Sequence, residues 1–354
     1  MIDSVKIKIE NFTGKMDNCE FDYSYKNIFI YQLYNESRDS SLKLIQNTSK
    51  NSLVIINSLR KWYLGETSLL DLNSKTFKKA ILKLSKLLGI SSVEICNGSV
   101  TQCEIGLNVK VRIPCEKIIP KICKYSSLKR YEYDGETVGF LGSNKELKIY
   151  HKCQEITANS QKGISKFKAF ARLQEKGNYF LRIEFTLLDK QSFEQHDLDF
   201  IRTIGDIATN YSVLYEFWTS QIDKVIMSNI IIYEDNMTPK EFLISIGIDH
   251  LGLNKFIKEY YKIKSKSSKT ITTKNKATAK SKVTKEVLDI FHKFESREEY
   301  NKNKLRTDIA KALIRIKSKD ESIELPVLIR NLWGGTNDIQ MINTKDTIIE
   351  GNSY

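Results

Sequence analysis

The sequence predicts an α+β fold, in which an antiparallel β-sheet with packed helices is followed by a mainly helical C-terminal region. Three observations lead to this prediction. Segments with a two-residue apolar period, typical of half-buried strands, dominate the first half of the chain. A few segments with helical spacing interrupt them, and from about residue 197 the helical pattern takes over. With 354 residues, the chain is long enough for about two domains.

The first strand is predicted near the N-terminus, where Val5, Ile7 and Ile9 alternate with charged residues. Because successive side chains of a strand point to opposite faces, this period of two indicates a half-buried strand. Further short strands, separated by turns rich in Asn, Ser and Asp, are expected at 20–25, 27–34, 42–45 and 53–56. Their close spacing favours an antiparallel meander.

The first clear helix follows this meander. Its apolar residues share one helical face while lysines occupy the others: Phe77, Ile81, Leu84 and Leu88. Gly89 stands where a C-terminal cap is needed. The next predicted elements are a strand at 99–109, a helix entered at Pro114, and strands at 146–153 and 179–188.

Changes in composition divide the chain into four expected parts. Residues 1–195 would form the sheet domain, and 196–261 a helical extension that contains a capping box over residues 238–241. Residues 262–286, rich in Lys, Ser and Thr, are expected to form a linker or a solvated arm. Residues 287–354 would form a small C-terminal helical segment.

Positive charge is concentrated in one of these parts. The chain carries a formal net charge of +13, and nine lysines with no acid fall between Lys262 and Lys285. This concentration favours a polyanionic partner, although a solvated spacer has the same composition.

Composition also argues against several classes of protein. No run approaches the ~18 apolar residues of a membrane span, and the N-terminus lacks the apolar core of a signal peptide. The six cysteines show no C-x-x-C pair and no zinc-type histidine partner. We therefore expect an intracellular protein with reduced cysteines and no membrane partner.

Three central strands each combine an apolar face with a polar one. Their polar faces carry, strand by strand, Gln102, Glu104 and Asn108; Lys148, Tyr150 and Lys152; and Arg182, Glu184 and Thr186. If the three strands are neighbours in one sheet, these faces meet and form a single polar surface.

Carboxylates on this surface indicate a metal site. Glu104 and Glu184, with Glu155 just beyond the second strand, offer the hard oxygen ligands that Mg²⁺ or Mn²⁺ prefers. Glu155 has the opposite parity to Tyr150, so a bulge or bend would have to turn it toward the other two.

The same surface carries a candidate nucleophile and two cations. Lys152 and Arg182 would neutralise a phosphate beside the metal ion, and the phenol of Tyr150 would attack its phosphorus atom. Neighbouring cations together with the metal ion are expected to favour the phenolate form of Tyr150. Tyr131 and Tyr133 are rival nucleophiles, expected in a turn before the strand, and they lack a lysine two residues later.

These motifs resemble those of the filamentous-phage replication initiators, the gene II protein group, and more distantly those of the rolling-circle plasmid initiators. The family's Tyr-x-Lys-x-x-Glu motif is matched by residues 150–155, and its opening Met-Ile-Asp by residues 1–3. Its Arg-x-Glu strand is matched at 182–184. Its Arg-x-Asp strand aligns with Gln102 and Glu104, where both residues differ and the carboxylate is kept. The matches follow the family's order over about residues 1–190.

The resemblance implies a site-specific nicking and joining endonuclease in residues 1–195, dependent on Mg²⁺ or Mn²⁺. It would nick one strand of double-stranded origin DNA, keep the 5′ phosphate on tyrosine, and free a 3′ hydroxyl for rolling-circle synthesis. It would later rejoin the displaced single-stranded DNA. Host helicase and polymerase are the implied partners, and the bacterial cytoplasm is the implied compartment. In such an enzyme, residues 262–286 would be either a DNA-binding arm or a linker.

Two alternatives use the same residues differently. A hydrolytic metal-dependent nuclease would use the carboxylates, with Tyr150 only structural, and would leave no covalent adduct. A non-catalytic nucleic-acid-binding protein would bind through the Lys-rich segment. In any of these proteins, residues 121–133, where cations interleave with Tyr125, Tyr131 and Tyr133, have the composition of a single-strand grip or of an ordinary solvated helix end.

Overall fold

A ten-stranded antiparallel sheet organises the first two thirds of the chain. The computed structural model describes residues 1–159, 171–227, 236–251, 253–267, 276–294 and 300–317. Helices pack on the sheet, and the described residues beyond 236 are mainly helical. The predicted α+β class is therefore confirmed.

The strands are numbered in chain order and vary from three to thirteen residues in length. They are β1 (Ile2–Ile9), β2 (Glu20–Tyr25), β3 (Ile28–Tyr34), β4 (Ser41–Asn47), β5 (Ser52–Ile56), β6 (Ser99–Val111), β7 (Ile122–Tyr125), β8 (Lys129–Tyr133), β9 (Thr137–Leu141), β10 (Lys145–His151), β11 (Tyr179–Leu187) and β12 (Val225–Met227).

The helices are shorter in the sheet domain than in the C-terminal region. They are α1 (Leu59–Leu64), α2 (Ser74–Leu88), α3 (Ser92–Cys96), α4 (Lys152–Asn159), α5 (Lys190–Glu194), α6 (Ile204–Thr209), α7 (Tyr211–Asp223), α8 (Pro239–Leu251), α9 (Leu253–Ser267), α10 (Lys276–Phe294) and α11 (Lys302–Lys317).

The sheet consists of two meanders that flank a central pair of strands. Its order is β2-β3-β4-β5-β1-β6-β11-β10-β9-β8, and every neighbouring pair is antiparallel. The expected meander of β2 to β5 is confirmed. Strands β7 and β12 form a separate two-stranded sheet.

Helix ends follow the local chemistry of the sequence. Helix α2 ends at Gly89, which has a φ of 63° in the left-handed region that glycine tolerates best. The predicted capping box of α8 is present: the Glu241 backbone N–H donates to Thr238 Oγ1 at 3.3 Å, and the Thr238 N–H donates to Glu241 Oε2 at 2.9 Å.

The main core lies between one face of the sheet and several helices. Phe185 of β11 contacts Phe217 of α7 with ring centroids 5.3 Å apart, and Phe77 of α2 contacts Tyr211 of α7 at 5.5 Å. Helix α11 packs against β6 and contributes to the same core. The opposite face of the sheet is therefore left for polar side chains.

A second, smaller core lies within helices α8, α9 and α10. Its buried residues are Ile244, Ile248, Val287, Phe291 and Phe294. Helices α5 to α7 and α11 instead join the main core, so the hydrophobic cores divide the chain differently from the expected boundaries at 195, 261 and 286. Amphipathic spacing shows that a helix has an apolar face, but it does not show which core covers that face.

Two expected elements are wrong in their type. The helix expected at Pro114 is replaced by two short 3₁₀ turns, Cys115–Lys117 and Ile119–Lys121, followed by β7. Pro120 explains the difference, because a proline inside an α-helix removes a hydrogen bond and clashes with the preceding turn. The strand expected at 146–153 ends at His151, and the chain continues directly into α4.

The Lys-rich segment expected at 262–286 is helical at both of its ends, in α9 and α10. Lysine is a good helix former, and Val283 and Val287 are four residues apart and buried, which anchors that part of α10. Residues 268–275, and residues 318–354 of the expected C-terminal segment, lie outside the described residues.

Among the described residues, no helix has the length and apolar character that crossing a membrane requires.

Candidate active site

The register of three neighbouring strands brings the predicted polar faces together. In the order β6-β11-β10, Glu104 lies opposite Thr186, Lys148 opposite Glu184, and Tyr150 opposite Arg182. Opposed side chains of antiparallel strands lie about 4.5–5.5 Å apart at Cβ, so these groups form one surface. The predicted adjacency of the three strands is confirmed.

This surface forms the floor of an open cleft of about 1190 Å³. The cleft is larger than the ~300–1,000 Å³ of a typical small-molecule pocket, which leaves room for a polymer. Its lining comes from both halves of the sheet and from helices α1 and α4. The carboxylates lie at its base, where β1, β6 and β11 are neighbours.

Three carboxylates meet at this base: Asp3, Glu104 and Glu184 offer oxygen atoms that all lie within 4.8 Å of one another. Such a set of oxygen ligands fits one hard divalent cation. Asp3 was not predicted from the sequence, because the alternation of β1 assigns it to the apolar face. A β-bulge between Ile2 and Val5 shifts the register and lets Asp3 join the polar face.

Arg182 lies beneath these carboxylates and is fully buried. Its guanidinium pairs with Asp3 and Asp71, and Nε donates to Glu184 Oε1 at 2.9 Å. Three carboxylates surround its guanidinium, and Arg182 is not among the residues that line the cleft, although a phosphate contact was expected of it. It instead orients two of the three candidate metal ligands.

Arg60 of α1 supports the same group from the side. Its Nε donates to Asp3 Oδ2 at 2.9 Å, and Nη1 donates to the Ser68 carbonyl at 3.0 Å. The two guanidinium groups hold the pKa of Asp3 well below its usual range, although burial acts in the opposite direction. The sequence carried no signal for Arg60 or Asp71, since both lie outside the alternating strands.

The carboxyl groups of this site outnumber its guanidinium groups, and this excess of acidic groups favours a divalent cation. Four carboxyl groups, those of Asp3, Asp71, Glu104 and Glu184, surround only two guanidinium groups, those of Arg60 and Arg182. Burial, followed by the nearby Glu184 and Asp3 carboxylates, raises the pKa of Glu104 well above its usual range. A cation between the carboxylates would relieve that repulsion, and the donor set therefore fits Mg²⁺ or Mn²⁺.

Tyr150 lies at the edge of the same group and reaches the cleft with 8% of its surface. Its phenol donates a hydrogen bond to Glu184 Oε1 at 2.9 Å. Burial and the Glu184 charge raise the pKa of Tyr150 well above its usual range, while Arg182 acts in the opposite direction. The phenolate is expected from neighbouring cations together with a metal ion, and it stays a prediction.

Glu155 and Lys152 form a separate ion pair on α4. Lys152 Nζ lies 2.7 Å from Glu155 Oε2, and Lys61 of α1 lies 3.0 Å from Glu155 Oε1. The expected metal ligand Glu155 therefore stays outside the carboxylate group, where Asp3 takes its place. Lys152 is fully buried, and burial followed by Arg60 lowers its pKa. Its Nζ lies 5.6 Å from the Tyr150 ring centroid, so it packs against the candidate nucleophile.

Lys148 and Lys61 are the cations that line the cleft next to the carboxylates. Lys148 lies two residues before Tyr150 on the same face of β10, and its charge acts on Glu104. Within the described part of the chain, Lys148 forms no ion pair. The sequence predicted the face of β10 on which Lys148 lies, but not that Lys148 lines a cleft.

The rival tyrosines lie on strand β8, not in a turn as expected. Tyr131 donates to Glu146, and burial followed by that hydrogen bond raises its pKa. Both Tyr131 and Tyr133 line the cleft. Tyr125 is buried and donates to Gln221 Oε1 at 2.8 Å, so it is not available to stack on a base.

Comparison of the chain with protein-family models, curated proteins and solved structures finds no match. The chemistry of the site therefore rests on its own geometry.

Proposed function

We propose that this chain is a metal-dependent DNA-nicking and -joining enzyme that uses Tyr150 as its nucleophile. One observation carries the proposal: a tyrosine phenol and three carboxylates share one face of the sheet, at the base of a cleft large enough for a polymer. Phosphodiester transesterification needs a nucleophile, a cation site and counter-charges for the phosphate. The phenol and the carboxylates provide the first two, and lysines of the same cleft provide the third.

The proposed reaction is a transesterification in which Tyr150 replaces the 3′ oxygen on the phosphorus atom. Tyr150 Oη forms a bond to the phosphorus atom, the bond from phosphorus to the 3′ oxygen breaks, and the strand leaves with a 3′ hydroxyl. The phenol proton passes to Glu184, whose Oε1 already accepts its hydrogen bond, and Glu184 then gives a proton to the departing 3′ oxygen. A cation bound by the carboxylates would polarise the phosphate oxygens. Attack of a 3′ hydroxyl on the phosphotyrosine reverses these steps and joins a strand without ATP.

The cations divide into two roles. Lys148 and Lys61 line the cleft and are placed to contact phosphate oxygens. Arg182 and Lys152 are buried, so they act as positioning residues: Arg182 holds Glu184 and Asp3, and Lys152 packs against the ring of Tyr150.

Rolling-circle initiation is the biological process that this chemistry favours. It rests on the resemblance of residues 150–155 and 182–184 to the phage and plasmid initiators. Such an enzyme acts in the cytoplasm of the bacterial host cell, on the double-stranded origin and the displaced single strand. A host helicase and polymerase would continue from its 3′ hydroxyl.

A hydrolytic nuclease is the second candidate, and one observation favours it. Tyr150 is only 8% exposed and its phenol donates to Glu184 Oε1 at 2.9 Å, as expected of a structural tyrosine. In this alternative, water replaces Tyr150 as the nucleophile, and the carboxylates keep their role.

The test is nicking of supercoiled DNA that carries the intergenic region of the chain's own replicon, with Mn²⁺ or Mg²⁺. We expect Tyr150→Phe to abolish nicking, whereas the matched control Tyr131→Phe retains it. EDTA should stop the reaction. Nicking that persists in Tyr150→Phe would favour the hydrolytic nuclease. A protein that binds this DNA and never cuts it would be a non-catalytic binding protein.

A further inference from the structure

The far edge of the sheet, strand β2, exposes large aromatic side chains to solvent. All six of its residues are exposed, and Phe21, Tyr23 and Tyr25 show 59%, 50% and 66% of their surface. Edge strands are ordinarily protected by charges, prolines or covering segments, and β2 carries the acidic residues Glu20 and Asp22 beside its three rings. A row of exposed rings on such an edge therefore marks an interaction surface.

Two of these rings lie on the same face of the sheet as the candidate active site. Tyr23 lies opposite Ile30, and the register continues through β4 and β5 to Lys8 of β1. Lys6, on the same side of β1 as Lys8, lies opposite Gln102, two residues before Glu104. The face that carries the carboxylates thus continues, by way of the apolar residues Ile30, Ile45 and Val54, to Tyr23 and Tyr25, five strand spacings or about 24 Å away.

Cations lie over the rings along this face. Lys43 Nζ is 5.9 Å from the ring centroid of Tyr23, and Lys26 Nζ is 5.2 Å from that of Tyr25. Closer to the site, the guanidinium of Arg38 lies 4.6 Å from the ring centroid of Tyr34. Tyr34 and Arg38 both line the cleft, so they connect the exposed edge with the active site.

We propose that the β2–β3 hairpin binds single-stranded DNA, with bases stacked on Tyr23 and Tyr25 and phosphates paired with Lys26 and Lys43. Rings interleaved with cations are what single-strand-binding surfaces use, because every base has a face that stacks and every nucleotide carries a phosphate. That this strand belongs to the DNA being nicked rests on the proposed function.

A protein partner fits the edge less well. A β-strand added to β2 would pair with its backbone, and the lysines over the rings would have no role in that pairing. A nucleic acid would contact both the rings, through its bases, and the lysines, through its phosphates.

The test measures binding of a fluorescent oligothymidine to the full chain in EDTA, where no cutting is expected. Each ring that stacks on a base should contribute roughly 5- to 150-fold in affinity, from about 1–3 kcal/mol per base. We expect the double variant Tyr23→Ser/Tyr25→Ser to lose at least the affinity that one ring contributes, roughly 5-fold or more. The double variant Tyr23→Phe/Tyr25→Phe keeps both rings and should bind as tightly as the unaltered chain. Phe200→Ser is the matched control, since Phe200 is 40% exposed and lies outside the hairpin.

Unchanged affinity in the double serine variant would overturn this inference and leave the nicking proposal intact. If the double serine variant also sediments differently from the unaltered chain while its DNA affinity is unchanged, the hairpin is a protein interface, and this inference is likewise overturned. Binding that depends on both tyrosines in a chain that never nicks DNA would support the hairpin's role and count against the nicking enzyme. Thermal melting checks that each variant is folded, and the exposure of both side chains predicts that it is.

Discussion

Asp3 distinguishes the observed metal site from the one that the sequence predicts. The alternation of β1 places it among the core residues, and a single bulge reverses its direction. Glu104 and Glu184 follow the alternation of their strands, so the sequence locates them correctly. Glu155 stands where the initiators that the sequence resembles have their motif Glu, yet its carboxylate forms ion pairs with Lys61 and Lys152. Pattern periodicity therefore predicts a residue's face only where the register is unbroken.

The three carboxylates lead to a prediction about metal affinity. We expect Asp3→Asn and Glu104→Gln each to weaken Mn²⁺ binding by at least about tenfold, since the loss of even an outer-shell partner typically costs 10–100-fold. Titration calorimetry of the variants measures the change. Glu155→Gln is the control, and it should bind Mn²⁺ as the unaltered chain does. Weaker binding in Glu155→Gln alone would instead support the ligand set expected from the sequence.

His196 leads to a prediction about stability against pH. Its ring packs against Phe185 and Phe217, and burial, followed by Lys145 and Lys224, lowers its pKa from 6.5 to about 4. Between those values the unfolded chain binds the proton and the folded chain does not. The free energy of unfolding should therefore fall as the pH drops from about 6.5 to about 4.

Urea denaturation at both ends of this range measures the effect. His196→Phe keeps an aromatic ring in place and removes the titration, so its free energy of unfolding should fall less than that of the unaltered chain. Equal losses in the two proteins would show that His196 does not contribute.

At the scale of elements, the sequence predicts most strands of the sheet domain to within two residues. Strand β2 is predicted with its observed bounds, and β11 differs by one residue. The prediction fails where one segment changes its period, as at His151, because the chain passes there from β10 into α4 without a turn. Cys153 and Ile156 are both buried in α4, and their three-residue spacing is helical.

The three-helix unit of α8, α9 and α10 leads to a prediction about cooperativity. Ile248 is fully buried in its core, whereas Leu243 of the same helix is 67% exposed. We expect Ile248→Ala to destabilise this unit by about 2–5 kcal/mol. Because the unit has its own core, it should melt before the sheet domain, which calorimetry would record as two transitions.

Leu243→Ala is the matched control and should change the free energy of unfolding by less than about 0.5 kcal/mol. A single transition shifted equally by both substitutions would argue that the two cores unfold together.

For the whole molecule, the distribution of charge follows the two cores. Residues 236–294 contain thirteen lysines and five acids, so the three-helix unit carries most of the net charge of +13. Lys280, Lys282 and Lys285 are exposed on α10. The sequence predicts the charge of this region, but its helical form required knowledge of which apolar residues are buried.

These lysines lead to a prediction about salt dependence. If they contact DNA phosphates, replacing all three with Gln should reduce the slope of log affinity against log salt by up to about 2.7, or about 0.9 for each phosphate contact. Binding of duplex DNA between 50 and 200 mM salt, roughly the range in which such slopes are measured, tests this. Lys75, Lys78 and Lys79 of α2 are exposed and provide the control triple. Equal slopes in both variants would assign the three-helix unit a role other than DNA binding.

The central claim is that Tyr150 becomes covalently linked to DNA, and peptide mapping tests it most directly. After reaction with origin DNA and Mn²⁺, nuclease and trypsin treatment releases Tyr150 in residues 149–152, whereas Tyr131 and Tyr133 fall in residues 131–145. We predict a nucleotide phosphate on the peptide 149–152 by mass spectrometry. A phosphate on the peptide 131–145, or cut DNA with no modified peptide, would contradict the account.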